Sequence, residues 1–332
     1  MLEKFCTWMF RWRKVLIPAV LVMTIIYPRM ISNAYTMRIT IVAMMYASLV
    51  ISLNLITGML GQMSFGHAAF WGLGSYTAAI LSTRLGWGSE ITFPAAIVVS
   101  GLFGALLGLP VLKLKGYYFT IVTMVFNEII RVILFNWMSL TNGPLGILRI
   151  PRPSFFGFQI RSQMAFFYLA LIILIITILV VSNITNSRVG YAILAIRDDE
   201  IAAASNGINV FRYKVTTFVV ASSLAGLAGA FYAQYTNYID PNAFSGLQSN
   251  EMIVMVIFGG LGNIFGSIFA AIVLSILPEV LRTFAMYRQI IYGILLVLMM
   301  LIRPQGLFGD IRFKYLGQRA GLYNGKTPAK PA

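Results

Sequence analysis

The sequence predicts an all-α, polytopic membrane protein of about ten transmembrane helices, with interrupted helices among them. Three observations carry this. First, 59% of the 332 residues are hydrophobic and only 11% are charged, against about 45–50% and about 25% in soluble domains. Second, the apolar residues gather in runs of membrane-crossing length, which needs roughly 20 residues. Third, the Lys and Arg behind a net charge of +15 fall in short stretches between those runs, as orienting charges do. The composition excludes a soluble domain, a disordered chain and a disulfide scaffold, and the single Cys6 has no internal partner. The basic residues form no folded polar face, so nucleic acid is not an expected partner; the lipid bilayer is. The first apolar run lacks a small-x-small cleavage site and further spans follow it, so no cleaved signal peptide is expected.

In order, the apolar runs cover 15–28, 39–57, 60–82, 91–112, 117–140, 164–182, 215–237, 250–281 and 286–302. The run 250–281 is too long for one straight span, and Gly259-Gly260-Leu261-Gly262-Asn263 breaks it. Splitting it gives ten crossings and leaving it whole gives nine. With ten, and the N-terminus inside, sixteen Lys and Arg lie on the inner side and eight on the outer, with Arg131 inside a span. With nine, the two sides hold twelve each. The positive-inside rule therefore favours ten spans and two cytoplasmic termini. The chain divides into a first transmembrane part (1–182), a cytoplasmic coupling loop (183–214), a second transmembrane part (215–302) and a basic cytoplasmic tail (303–332). A possible internal repeat joins Gly58-Met59-Leu60-Gly61-Gln62 to the glycine break, since Phe65-Gly66 and Phe265-Gly266 follow the two.

The loop is not a plain linker. Asp198 reads as a helix N-cap, with Asp199 and Glu200 in the first turn, where carboxylates favour the positive helix end. Ile201 to Ser205 continue a short helix, Asn206-Gly207 ends it, and Tyr191 to Ile196 form an earlier apolar piece. A capped, partly apolar helix outside the bilayer buries its face either on its own bundle or on a cytoplasmic partner, and the second reading is preferred. The acidic cluster lacks the His, Cys or second carboxylate group that a metal site needs.

These residues resemble a known family. RVGYAILAIRDDEIAAASNGINVFRYK is similar to the cytoplasmic loop of branched-chain amino-acid ABC importer permeases. NLITGMLGQMSFGHAAFWGLGSYTAAI, KGYYFTIVTMVFNEIIRVIL, TNGPLGI, VVASSLAGLAGAFYAQYTNYIDP, VIFGGLGNIFGS and RPQGLFG continue the likeness in order, over roughly residues 40–310. The M-type subunit is the nearest form. The resemblance implies a bacterial inner-membrane importer of leucine, isoleucine or valine. It also implies pairing with an H-type permease, two cytoplasmic ATPases on the loops and a periplasmic amino-acid-binding protein. The family's EAA-x3-G pattern is matched by Ala202, Ala203 and Gly207, but Ile201 stands where its Glu would be, with Glu200 one position earlier. Arg197, Asp198, Asp199, Glu200, Ala202, Ala203 and Gly207 are the expected ATPase-coupling residues. Urea or other small-solute importers have similar permeases and are the nearest rival.

No catalytic residue, metal ligand or cofactor is expected in the chain. Gly321 to Thr327 has three residues between its glycines where a phosphate-binding loop needs four, so ATP belongs to the partner subunits. A membrane enzyme would need clustered acids or histidines, which the sequence lacks. A secondary transporter would need an intramembrane carboxylate without a neutralising neighbour, and Glu128 has Arg131 three positions on. Intramembrane polar groups mark pathways by default. Asn54, Gln62, Ser64, His67, Asn127, Glu128, Arg131 and Glu251 are thus candidate translocation-path residues, with the alternatives that Glu128 and Arg131 fix helix packing and that His67 is a packed core residue. Gly72, Gly74 and Ser75 are expected to let helices approach closely.

Overall fold

A computed structural model describes residues 27–29, 33–112, 117–155 and 157–280, together with positions 287, 290, 291, 293, 294, 297, 301 and 306–308. Nearly all of the expected first span (15–28) and of the tail (303–332) lies outside the described residues. The expected span 286–302 is described only at isolated positions.

Helix α1 (Ala34–Asn54) starts at Asn33, whose side chain accepts the Tyr35 N–H at 2.9 Å. It runs into a π-helical turn, Leu55–Met59, in which the Leu60 N–H reaches back to the Leu55 carbonyl. Then come α2 (His67–Arg84), α3 (Ser89–Val111), α4 (Tyr117–Asn136) and the single turn α5 (Met138–Thr141). After α6 (Gln163–Thr185), two short helices, α7 (Arg188–Asp198) and α8 (Glu200–Ser205), lead into α9 (Val210–Thr236). Then follow α10 (Gly246–Gly259) and α11 (Ile264–Val280). At the end away from α7 and α8, β1 (Ile147–Leu148) pairs antiparallel with β4 (Tyr238–Ile239), and β2 (Ser154–Phe155) with β3 (Phe158–Gln159).

Among the described residues, five helices are long and apolar enough to cross a membrane: α1 with its π turn, α3, α4, α6 and α9. This is a polytopic, mostly helical membrane architecture. One expected run begins later than its apolar residues do, and another breaks where its glycines predict. The run 60–82 is helical only from His67, and Leu60 to Gly66 form an irregular segment. The run 250–281 is two helices separated at residues 260–263. Both breaks carry glycines in the left-handed region, Gly61 at φ 77° and Gly262 at φ 79°, where a Cβ would be strained. Irregular backbone at membrane depth is tolerated where protein covers it, and Leu60, Ser64 and Gly66 are buried.

The centre is built from α2, α3 and α9, held at backbone distance by small residues. Gly74 lies directly against the Gly226 backbone. The Ser75 hydroxyl donates to the Gly229 carbonyl at 2.9 Å, and Ser100 donates to the Phe70 carbonyl at 3.1 Å. Between lipid-like apolar surfaces there is no hydrophobic drive to associate, so close packing and interhelical hydrogen bonds supply it. Gly74 and Ser75 therefore serve packing, as expected. Gly72 does too, since a Cβ there would stand 2.9 Å from the Phe244 ring.

Candidate coupling site at the paired helix breaks

The two breaks, about two hundred residues apart in sequence, touch. Asn54 joins them. Its Oδ1 accepts the Gly262 N–H at 2.8 Å, and its Nδ2 donates to Ser267 Oγ at 2.7 Å and to the Asn263 carbonyl at 3.2 Å. Asn54 is 3% exposed, so these bonds satisfy an amide that would otherwise be costly to bury. Gly58 is small because its backbone packs against the Gly262 N–H. Asn263 donates in turn to the Phe308 carbonyl at 2.7 Å, while the Leu307 and Phe308 N–H groups bond the Phe258 and Gly259 carbonyls. Leu307 and Phe308 thus lie against the second break.

The loop helices dock on this junction. Ser187 caps α7 by accepting the Val189 N–H at 3.2 Å. Gly190, Ala192, Ile193 and Ile196 form its buried face. One residue on, Arg197 turns inward: Nη1 donates to the Gly58 carbonyl at 2.6 Å, and its aliphatic stem fills the space beside Gly61. Arg197 is therefore bonded to the first break and adjoins the second through Gly262.

The acidic residues after it have other duties than expected. Asp198 is the last residue of α7 rather than an N-cap. Asp199 is the cap of α8, its backbone extended at φ −156°, ψ 112° and its carboxylate accepting the Ile201 and Ala202 N–H groups at 2.8 and 3.0 Å. The N-cap must leave helical geometry, and α7 continues through Asp198, so the role falls one residue later. Glu200 forms an ion pair with the buried Lys214 of α9. Ala203 is buried and Ala202 exposed. Ile201, where the EAA-type pattern has its acid, is 71% exposed. Gly207 sits at φ 80° with open space around its α-carbon. Gly207→Val would accordingly meet no clash but would strain the backbone, at about 1–2 kcal/mol. We expect lowered thermal stability of the purified permease; an unchanged melting temperature would contradict the strain.

The remaining sequence candidates lie above this junction. His67 is fully buried, with Nε2 2.8 Å from Ser52 Oγ. The Ser52 hydroxyl already donates to the Leu49 carbonyl at 2.8 Å, so it accepts from the Nε2–H and leaves Nδ1 as a bare acceptor. Among the described residues His67 Nδ1, Gln62 Oε1, Ser64 Oγ and Asn127 Oδ1 are buried without a hydrogen-bond partner. Gln62 and Ser64 lie in the irregular segment and His67 follows it, while the segment's Phe65 N–H is held by Thr123 Oγ1 of α4 at 3.1 Å, four residues before Asn127. The Asn127 amide donates to the Phe244 carbonyl at 3.2 Å. Glu128 and Arg131 pair at 2.8 Å on α4, and Glu251 is half-buried on α10. The structure thus gathers Asn54 and Arg197 at the breaks and Gln62, Ser64 and His67 at one segment, with Asn127 on α4 four residues after the Thr123 that holds this segment, and Glu128, Arg131 and Glu251 apart. Sequence reading missed Ser52, Lys214 and Ser267, each a common residue without a motif of its own. Asn263 was within reach, since it occupies the Gln62 position of the second break.

A family model described as branched-chain amino acid transport system / permease component matches residues 35–302. The chain belongs to this family. The matched region takes in both breaks, α7, α8 and Arg197. Among curated relatives of this permease component, the high-affinity branched-chain amino acid transport system permease protein LivM of Salmonella typhimurium is 34% identical, covering 89% of this chain and 75% of its own. The corresponding LivH of Escherichia coli is 24% identical over 80% of this chain and 91% of its own. The probable LivM of Methanocaldococcus jannaschii is 23% identical over 65% and 68%. No solved structure matches the chain. The chain is a multi-pass membrane permease component of a transport system, and relatives of both LivM and LivH kinds bear on how it assembles.

Proposed function

We propose that this chain is the M-type membrane subunit of an ATP-driven importer for leucine, isoleucine and valine in a bacterial inner membrane. It pairs with an H-type permease, receives substrate from a periplasmic binding protein and carries two ATPases on the paired α7–α8 loops. It needs no cofactor of its own and hydrolyses no ATP. The higher identity to LivM than to LivH supports the M-type assignment. Ten spans with both termini cytoplasmic fit the second break, which meets Gly58 and Arg197 on the side of α7 and α8. An internal repeat fits the matched positive φ of Gly61 and Gly262.

The observation that carries the proposal is the bond from Arg197 to the Gly58 carbonyl. Docked ATPases displace α7 and α8 on hydrolysis, and Arg197 passes that displacement to both helix breaks. Gln62, Ser64, His67 and Asn127 then border the path those breaks open. Their unpartnered polar atoms suit a zwitterion or water, whereas a permanently dry core would leave them unsatisfied.

Ile201 is the docking knob in this scheme, an exposed large apolar residue on a capped helix. Ile201→Asp should lower ATPase co-purification with the permease pair by roughly tenfold, which corresponds to about 1.4 kcal/mol. Radiolabelled leucine uptake should fall with it. Wild-type ATPase recovery from that variant would refute the docking role. Uptake of urea but not leucine by the intact complex would refute the substrate.

A further inference from the structure

We propose that the outward face of α4 is the surface on which the second permease chain sits. The proposal rests on the reading that the chain works as one of a pair, and it names the face. Exposed faces of the long helices differ in kind. On α3 the large exposed side chains are Ile91, Val98, Leu102, Leu106 and Leu109, and on α6 they are Met164, Ile172, Ile176 and Leu179. Away from the helix ends both faces are apolar and suit lipid. The α4 face is apolar too, through Met124, Val125, Ile129, Val132 and Ile133, but it also carries charge. Glu128 and Arg131 are 43% and 30% exposed there. Glu128 lies eight residues before the helix end at Asn136, roughly 12 Å into the span at 1.5 Å per residue.

An ion pair open to hydrocarbon at that depth is unfavourable, and such groups normally face protein or a water-filled path. The pair has only partial cover from its own chain. Arg131 Nε donates to Glu128 Oε2 at 2.8 Å, and Nη1 reaches Asn242 Oδ1 at 3.4 Å. The shape of the face agrees. Met124, Glu128 and Val132 form one ridge at four-residue spacing, Val125, Ile129 and Ile133 form the next, and a shallow hollow of about 400 Å³ lies along them. Such ridges and the groove between them are what a neighbouring helix packs into. α4 is also the least buried of the five membrane-length helices, at 33% against 44–78% for the others. Residues flanking this chain's own remaining apolar runs pack elsewhere: Tyr27, at the end of the run 15–28, stacks on Phe167 of α6, and Phe308, six residues beyond the run 286–302, packs on Phe269 of α11. The occupant is therefore the paired permease, with its own polar groups completing the Glu128–Arg131 pair.

The test uses the assembled complex in a Cys6→Ser background, with an affinity tag on the partner permease. Ile129→Cys and, separately, Leu102→Cys are labelled in membranes with a thiol-reactive benzophenone and irradiated. The expected result is an adduct between the two permeases from Ile129→Cys, severalfold stronger than from Leu102→Cys. A stronger adduct from Leu102→Cys, or no adduct from either in complexes that co-purify through the tag, overturns the face while leaving pairing intact. An adduct between two copies of this chain overturns the choice of occupant. Failure of the two permeases to co-purify overturns pairing itself, and the surface assignment falls with it.

Discussion

Replacing Arg197 by alanine should separate ATP hydrolysis from transport. The guanidinium donates to the Gly58 carbonyl at 2.6 Å, and its stem packs beside Gly61. A hydrogen bond from a charged group contributes about 1.5–3 kcal/mol, and each 1.36 kcal/mol is tenfold in a rate. If Arg197 is the element through which α7 moves the breaks, uptake should fall by roughly ten- to a hundredfold while the complex still assembles and hydrolyses ATP. Arg197→Lys should recover only part of the loss, because an ammonium lacks the planar fork of donors. Proteoliposomes holding the four-subunit complex and the binding protein permit both readouts on one sample. Equal loss of ATPase activity and uptake in Arg197→Ala would mean that the residue merely holds the fold, and the coupling role would fail.

The largest effect on folding is expected at Gly226. A Cβ there would stand 2.5 Å from the Ser100 Cβ and 2.7 Å from the Ala96 carbonyl oxygen, on α3, while Gly74 of α2 presses on the same residue. Neither neighbour is the mobile tip of a long side chain, so backbones must separate. Overpacking a core typically costs about 1–3 kcal/mol, and Gly226→Leu would load two interfaces at once. We expect little monodisperse permease in detergent, measured by fluorescence-detected size exclusion. Wild-type yield and profile would show that α2, α3 and α9 are not packed at this distance.

What the sequence shows well is local. Hydropathy marks 39–57, 91–112, 117–140, 164–182 and 215–237, and helices occupy each of these stretches, because a span declares itself by consecutive apolar residues. The glycine cluster 259–263 likewise marked the second break, since left-handed backbone favours glycine, whereas the first fell inside a run read as one span, because apolar residues there hide the irregular backbone. The acidic triplet in the loop was legible as capping chemistry but shifted by one residue. Where α7 ends depends on its buried face, which continues through Ile196 into Arg197, and not on which carboxylate comes first.

The sequence by itself determined the membrane class, most of the long helices, the loop and the position of the second helix break, all of which follow from the chemistry of neighbouring residues. Only the tertiary structure decided that the breaks meet and are fastened by Asn54. The Asn54 bond to Gly262 spans 208 positions, and no periodicity reports a contact that long. The same holds for Arg197. The sequence placed it only among the expected ATPase-coupling residues of the loop, and its inward bond exists because the fold leaves a carbonyl at Gly58 within reach. An irregular backbone frees carbonyls from the helix ladder, and whichever donor the packing brings there acquires the link.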